Sequence, residues 1–127
     1  MDVTPLIPAG RQIIESYGAH RFRVGGQLFE SSIIVFPERT LAWAPGNASE
    51  ITLASLDEVV RAGVAGQVDV LLIGCGVRMV MLPAELRRGL REAGVVTEPM
   101  DTGAACRTYN VLMAEGRKVA AALIAVA

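Results

Sequence analysis

The strongest constraint on the fold is an apolar segment at residues 68–73, which ends in a Gly-Cys-Gly turn. A short, continuous run of Val, Leu and Ile is typical of a β-strand that is buried on both faces. Helical and strand patterns then alternate: a helix that Pro83 begins, a strand at 95–98, a helix from Asp101 or Thr102 to about Glu115, and a strand at 119–124. This order predicts parallel strands joined by right-handed crossovers.

The first half of the chain shows short strand patterns separated by turn residues. The predicted strands are residues 12–17, 20–24, 27–29, 32–36 and 40–44. Gly25 and Gly26 can both adopt positive φ, as a tight hairpin turn requires. Ser55 is predicted to cap a helix that ends before Gly63. The sequence therefore predicts the α/β class: a mixed β-sheet with an N-terminal antiparallel meander, a C-terminal βαβαβ-like half and flanking helices.

The length of 127 residues suits one domain, and no repeat or linker divides it. We expect residues 1–127 to form this single domain. Pro5 and Pro8 bias the residues before them towards extended backbone. Residues 1–11 are therefore predicted to be an extended N-terminal arm.

Charge and composition exclude several classes of function. The 12 Lys+Arg and 13 Asp+Glu residues give a net charge of -1, so no strongly basic face for nucleic acid is expected. The longest apolar run, 119–127, is shorter than the roughly 20 residues of a membrane-spanning helix. The N-terminus lacks the patterns of a signal peptide and of a presequence. Two cysteines provide neither a disulfide framework nor a zinc site. We expect a cytoplasmic protein that is not an integral membrane protein and has no metal or cofactor.

Two loops are candidates for binding a small ligand. Gly74, Cys75 and Gly76 follow the buried strand, and Asp101 and Thr102 follow the next strand. If these strands are parallel neighbours, both loops face one crevice, where open α/β sheets bind ligands. Glycine amides and a helix N-terminus would suit an anion there. The alternatives are a tight turn in the first loop and ordinary helix capping in the second.

Arg107, Tyr109 and Asn110 are candidate ligand-binding residues on the helix that follows. Arg107 could bind a carboxylate or phosphate in a bidentate manner. Tyr109 and Asn110 could donate hydrogen bonds to a ligand. Equally, a buried Tyr hydroxyl and Asn amide often bridge backbone groups, which would make these residues structural.

The sequence shows no catalytic constellation, and we therefore expect no enzyme. A nucleophilic Cys75 would need a base beside it, and the single histidine, His20, belongs to the N-terminal meander. The basic residues Arg78, Arg87, Arg88 and Arg91 cluster around one predicted helix. They form either a solvated face or a contact surface for an acidic partner protein.

The C-terminal stretch 98–123 resembles the signature of the Mth938-like family, a domain of unknown function. Further matching stretches are residues 17–18, 22–24, 29–32, Trp43 and 69–76, so the resemblance extends from about Ile13 to Leu123. Two positions depart from the pattern: Cys75 stands where Thr is expected, and Ser31-Ser32 where Gly-Ser is expected. The first departure weakens any shared hydroxyl role in that loop.

The resemblance implies a compact mixed α/β domain without an established catalytic activity. It also implies a connection to the assembly of respiratory complex I, because mitochondrial members of the family are assembly factors for that enzyme. We therefore expect a bacterial, non-enzymatic interaction protein, a monomer or weak homodimer, whose unknown protein partner could belong to a membrane respiratory complex. The alternative is an anion-binding protein or enzyme that uses loops 74–76 and 100–103.

Overall fold

The computed structural model describes residues 10–127, which contain eight β-strands and three α-helices. The strands are β1 (Ile14–Gly18), β2 (Arg21–Val24), β3 (Gln27–Phe29), β4 (Ser32–Val35), β5 (Thr40–Trp43), β6 (Val70–Gly74), β7 (Val96–Met100) and β8 (Val119–Leu123). The helices are α1 (Asp57–Val64), α2 (Ala84–Glu92) and α3 (Thr102–Ala114), and short 3₁₀ turns occupy Ala48–Glu50 and Ala54–Leu56. Of the predicted arm, residues 1–9 lie outside the described range.

The main sheet has five strands in the order β5-β4-β8-β6-β7. Strand β6 is parallel to β7 and to β8, whereas β4 is antiparallel to β5 and to β8. The predicted fold class is therefore confirmed, including the parallel neighbours on which the predicted crevice depends. The predicted meander divides, however: β1, β2 and β3 form a separate antiparallel sheet, and β4 and β5 join the main sheet.

Each face of the main sheet has its own apolar core. Alternate residues of β4 show this: Ile34 packs with α1 and α2, whereas Ile33 and Val35 pack with α3 and the small sheet. All five residues of the central strand β8 are buried. Its alanines have small side chains, so the layers on both faces can approach it closely. The result is three layers: two helices, the main sheet, and α3 with the small sheet.

The turns of the small sheet follow from backbone conformation. Gly25 and Gly26 have φ of 57° and 81°, which confirms the predicted turn between β2 and β3. Ala19 and His20 adopt φ of 52° and 57° in the turn between β1 and β2. Non-glycine residues rarely take this conformation, but a two-residue hairpin turn favours positive φ at both central positions.

Two local predictions differ from the structure. Ser55 does not cap α1, because its hydroxyl donates to the carbonyl of Thr52 (2.7 Å) and Leu56 is the N-cap. Strand β7 continues through Pro99 to Met100 instead of ending at Glu98. Strand β7 lies at the edge of the sheet, where proline is tolerated because one side of the strand needs no partner.

Candidate functional site

The two loops predicted to face one crevice do meet at the carboxyl ends of β6 and β7. Gly74 pairs in register with Met100. Beyond the strands, the Cys75 amide donates to the Met100 carbonyl (2.8 Å) and the Thr102 amide donates to the Gly76 carbonyl (2.8 Å). The loops are thus bonded to each other, and we call this contact the loop junction (residues 74–76 and 100–103).

Thr102 fills the loop junction. Its side chain is fully buried, and its hydroxyl donates to the Ile124 carbonyl (2.8 Å) and accepts the Gly76 amide (3.0 Å). A Cβ on Gly74 would lie 2.9 Å from the Cα of Thr102, so glycine is required for this approach. Groups that could have faced an anion are therefore bonded inside the protein.

The C-terminal residues close the same edge of the sheet. The Ile124 amide donates to the Gly74 carbonyl (2.9 Å), and the Ala125 amide donates to the hydroxyl of Ser32 (3.0 Å). The His20 amide donates to the Val126 carbonyl (2.7 Å). The chain after β8 therefore runs across the junction and joins it to both sheets.

Asp101 and Cys75 have local partners. The Asp101 carboxylate accepts the Ala104 amide (2.9 Å), which is the capping bond expected at the start of α3. The thiol of Cys75 is buried, and its sulfur lies 3.7 Å from the Ile73 carbonyl oxygen and 3.8 Å from that of Val80. Its hydrogen-bonding capacity is directed at backbone carbonyls of the segments on either side of its loop.

The three candidate residues on α3 lie in different environments. Arg107 is exposed and donates to the hydroxyl of Tyr17 (3.3 Å). Asn110 accepts the Ile14 amide (2.9 Å) and donates to the Ile14 carbonyl (2.8 Å), which fastens β1 to the helix. Tyr109 is fully buried, and its hydroxyl has no hydrogen-bond partner within residues 10–127.

The structure thus brings five of the eight candidates, Gly74, Cys75, Gly76, Asp101 and Thr102, into one junction. Ligand binding by the eight residues stays a prediction. Their observed contacts are those of tight turns, a helix cap and a clamp between helix and strand.

Burial shifts two ionisable groups on α3. Burial raises the pKa of the Cys106 thiol to about 12, with Arg107 lowering it and Asp101 raising it by smaller amounts. Burial also raises the pKa of the Tyr109 hydroxyl, with a smaller rise from Glu38 and a lowering from Arg11. Both groups are protonated at neutral pH, so Cys106 offers no thiolate for nucleophilic chemistry. Residues 10–127 contain no group of three or more His, Cys, Asp or Glu that could hold a metal ion.

An exposed apolar segment, which we call the apolar loop (residues 77–81), follows the loop junction directly. Val77 is 79% exposed and Met81 75% exposed, and Met79 and Val80 are also exposed. No role was predicted for this stretch from the sequence. The signal was present in its composition, because four of its five residues are large and apolar without helical or strand periodicity.

The predicted basic cluster borders the apolar loop along the chain. Arg78 lies within the loop, and Arg88 and Arg91 are exposed on α2. Arg87 is half-buried, and its Nε has no hydrogen-bond partner within the described residues. Residues 77–91 therefore combine exposed apolar side chains with positive charge.

The architecture defines an α/β domain of the Mth938-like class. The solution structure of an Mth938-like domain from Bordetella pertussis has a TM-score of 0.82 and 30% identity, covering 100% of this chain and 95% of that chain. A crystal structure described as an outer membrane protein from Bartonella henselae has a TM-score of 0.86 and 39% identity, covering 94% and 98% of the two chains. The chain belongs to the family described as "protein of unknown function (DUF498/DUF598)", whose model matches residues 14–124.

Relatives occur in bacteria and in animals. An uncharacterised protein of Rhodobacter capsulatus is 40% identical over 91% of this chain and 86% of its own length. NADH dehydrogenase (ubiquinone) 1 alpha subcomplex assembly factor 3 of Danio rerio is 36% identical over 88% of this chain. The match covers 63% of that assembly factor, so this chain spans less than two thirds of it. In the described part of this chain, no helix is both long and apolar enough to cross a membrane.

Proposed function

We propose that this protein is a non-enzymatic interaction protein that acts as an assembly factor in the biogenesis of a respiratory complex. The observation that carries the proposal is the apolar loop, residues 77–81, which leaves large apolar side chains in water beside a closed loop junction. Exposed apolar patches commonly mark protein interaction sites. The relatives named as NADH dehydrogenase assembly factors support that enzyme as the complex concerned.

The charges of the apolar loop and of α2, which follows it along the chain, specify the partner further. Arg78 is exposed within the apolar loop, and Arg88 and Arg91 are exposed on α2, so a partner with apolar side chains and flanking carboxylates would be complementary to residues 77–91. Apolar contacts would supply most of the affinity, and the arginines would favour the correct orientation. The partner we propose is a protein subunit of the respiratory complex.

The test is recovery of NADH dehydrogenase subunits with the tagged full chain from detergent-solubilised membranes of the native host, followed by mass spectrometry. The double variant Val77→Ser/Met81→Ser removes the two most exposed apolar side chains of the apolar loop. A matched control is Val64→Ser/Val111→Ser, which removes two valines that are 75% and 58% exposed on α1 and α3.

We expect the unmodified chain and the control to recover equal amounts of the subunits. The loop variant should recover at least about tenfold less. Deleting the gene should reduce assembled NADH dehydrogenase on native gels, and the control but not the loop variant should restore it. Normal assembly in the deletion strain, or equal recovery by both double variants, would overturn the proposal.

A further inference from the structure

The edge of the main sheet opposite the loop junction contains a hollow of about 550 Å³. Strands β6 and β8 are parallel and β4 is antiparallel to β8, so the starts of β6 and β8 and the end of β4 share this edge. The hollow is lined by residues just outside these strand ends, including Phe36, Pro37, Val68 and Lys118. We call this edge the amino edge.

A second hollow of about 160 Å³ adjoins the first. The two share Pro37, Glu38, Gln67 and Lys118 in their walls. They therefore form one cleft, and its larger part has a volume within the range of about 300–1,000 Å³ that is usual for small-molecule sites.

Positive charge predominates in the walls of this cleft. Its charged lining residues are four cations and one acid: Arg11, Arg39, Arg117, Lys118 and Glu38. Glu38 pairs with Arg11 (2.8 Å) and Arg39 pairs with Glu58 (3.0 Å), so the charges of these two pairs cancel. Within residues 10–127, Arg117 and Lys118 form no ion pair. The whole chain has a net charge of -1, so this excess of cations is local.

Two of these cations are held in place by contacts within the chain. The Lys118 ammonium donates to the Gly66 carbonyl (3.0 Å), and both residues line the larger hollow. The Arg39 guanidinium lies 4.7 Å above the centre of the Phe36 ring and pairs with Glu58 (3.0 Å). Restricting a cation before binding reduces the entropy lost when an anion arrives.

Apart from Gly66 and Gln67, the uncharged residues that line the larger hollow are apolar. Phe36, Pro37, Ala62 and Val68 line it, and all four are buried residues whose side chains come from three different segments of the chain. A wall that combines fixed cations with an apolar floor suits a ligand that carries both an anionic group and a hydrocarbon or ring portion.

We propose that this cleft binds a small organic anion, a carboxylate or phosphate ester with an apolar body. The anionic group is placed at Lys118 and Arg117, the two lining cations that form no ion pair within residues 10–127, and the apolar body lies against Phe36 and Val68. Because the apolar loop lies at the opposite edge of the sheet, this site is independent of the proposed assembly function.

The test is a titration of the full ¹⁵N-labelled chain with phenyl phosphate and with benzoate, followed by two-dimensional NMR. Inorganic phosphate is the control ligand, because it has an anionic group but no apolar body. We expect the amide signals of Gly66, Gln67, Val68 and Lys118 to shift with phenyl phosphate, benzoate or both. The better of these probes should bind at least about tenfold more tightly than inorganic phosphate.

Lys118→Met removes the ammonium and keeps a side chain of similar length, and Arg88→Met removes one positive charge from α2, outside the cleft. We expect Lys118→Met to weaken binding at least about tenfold and Arg88→Met to change it by less than about twofold. Both variants replace exposed side chains, and the same spectra report that they are folded. Shifts confined to α2 or absent with both organic probes, equal binding by both variants, or inorganic phosphate binding as tightly would each overturn the proposal.

Discussion

The two edges of the main sheet differ in how their polar groups are used. At the carboxyl edge, Thr102 bonds to Gly76 and to Ile124, Gly74 bonds to Ile124, and the space between the loops is filled. At the amino edge, the segments around Phe36, Gly66 and Lys118 surround a hollow with excess positive charge. Ligand sites of open α/β sheets usually lie at the carboxyl edge. Here the junction of the two loops is closed, a hollow of about 260 Å³ lies farther along the carboxyl edge beside Ser32 and Ala125, and a hollow of about 550 Å³ lies at the amino edge.

The path of the chain after β8 explains the difference. Residues 124–126 continue past the carboxyl edge and bond to Gly74, Thr102 and Ser32. The strand order places β8 between β4 and β6, so this continuation passes over the centre of the sheet. Fold class alone therefore does not locate a crevice, because a terminal segment can occupy it.

The largest effect is expected from removing the Thr102 hydroxyl. Thr102→Val keeps the shape of the side chain but leaves the Gly76 amide and the Ile124 carbonyl without this partner in a buried position. Each unpaired buried group costs about 1–3 kcal/mol, so we expect a loss of about 3 kcal/mol in the free energy of unfolding, measured with urea. Thr108→Val, a half-buried threonine of the same helix, is the control and should cost less than about 1 kcal/mol. Similar losses for both variants would show that the junction does not depend on its hydroxyl.

A comparison of two glycines tests the packing difference between the edges. Gly74→Ala places a methyl group 2.9 Å from the Cα of Thr102 and 3.0 Å from Cδ2 of Leu123, and we expect a loss of about 2 kcal/mol. At the amino edge, Gly66 has nothing within 4 Å of an added Cβ, and its φ of +73° is the source of strain. Gly66→Ala should therefore cost only about 1 kcal/mol in the same urea experiment. A larger loss at Gly66 than at Gly74 would reverse our account of the two edges.

The sequence predicted the elements of the carboxyl edge correctly, because hydrophobic runs and turn residues are local signals. The buried run at 68–73 and the cap at Asp101 both lie close to their predicted places. Parallel pairing of β6 and β7 also followed from the order of the elements. Whether the two loops enclose space could not be predicted, since this depends on the path of residues 124–126.

The cleft at the amino edge has no local signature. Arg11, Arg39 and Lys118 are separated by 28 or more positions, and the strand order brings them to one edge. The division of the N-terminal meander between two sheets likewise depends on a tertiary contact, because β4 pairs with β8, which is nearly 90 residues away. Sequence patterns instead directed attention to the arginines of α2, which are close together along the chain.

The pH dependence of stability tests burial next to the carboxyl edge. Cys106 has its pKa raised from 9.0 to about 12 in the folded chain, so the folded state retains a proton that the unfolded state loses above pH 9. The contribution of Cys106 to stability should therefore be constant below about pH 9, and the free energy of unfolding should fall by about 1.4 kcal/mol per pH unit above it. Burial of Tyr109 acts in the same direction above its ordinary pKa of 10.0. Urea unfolding between pH 7 and 10.5 should show a shallower fall in Cys106→Ala, and an unchanged slope would contradict the burial of this thiol.

The smallest effect should come from Tyr109→Phe. Like Thr102→Val, this change removes a buried hydroxyl, but it should not reduce the free energy of unfolding. The Tyr109 hydroxyl is buried without a partner in residues 10–127, and the charges that act on it are those of Glu38 and Arg11 at the amino edge. Tyr109→Phe keeps the ring and relieves the desolvation of the hydroxyl, so we expect the free energy of unfolding to rise or to change by less than about 0.5 kcal/mol. Tyr109→Leu, which loses the ring as well, should destabilise by more than about 1 kcal/mol. If Tyr109→Phe lowered the free energy of unfolding as much as Thr102→Val, the Tyr109 hydroxyl would be as fully hydrogen-bonded as the Thr102 hydroxyl of the loop junction.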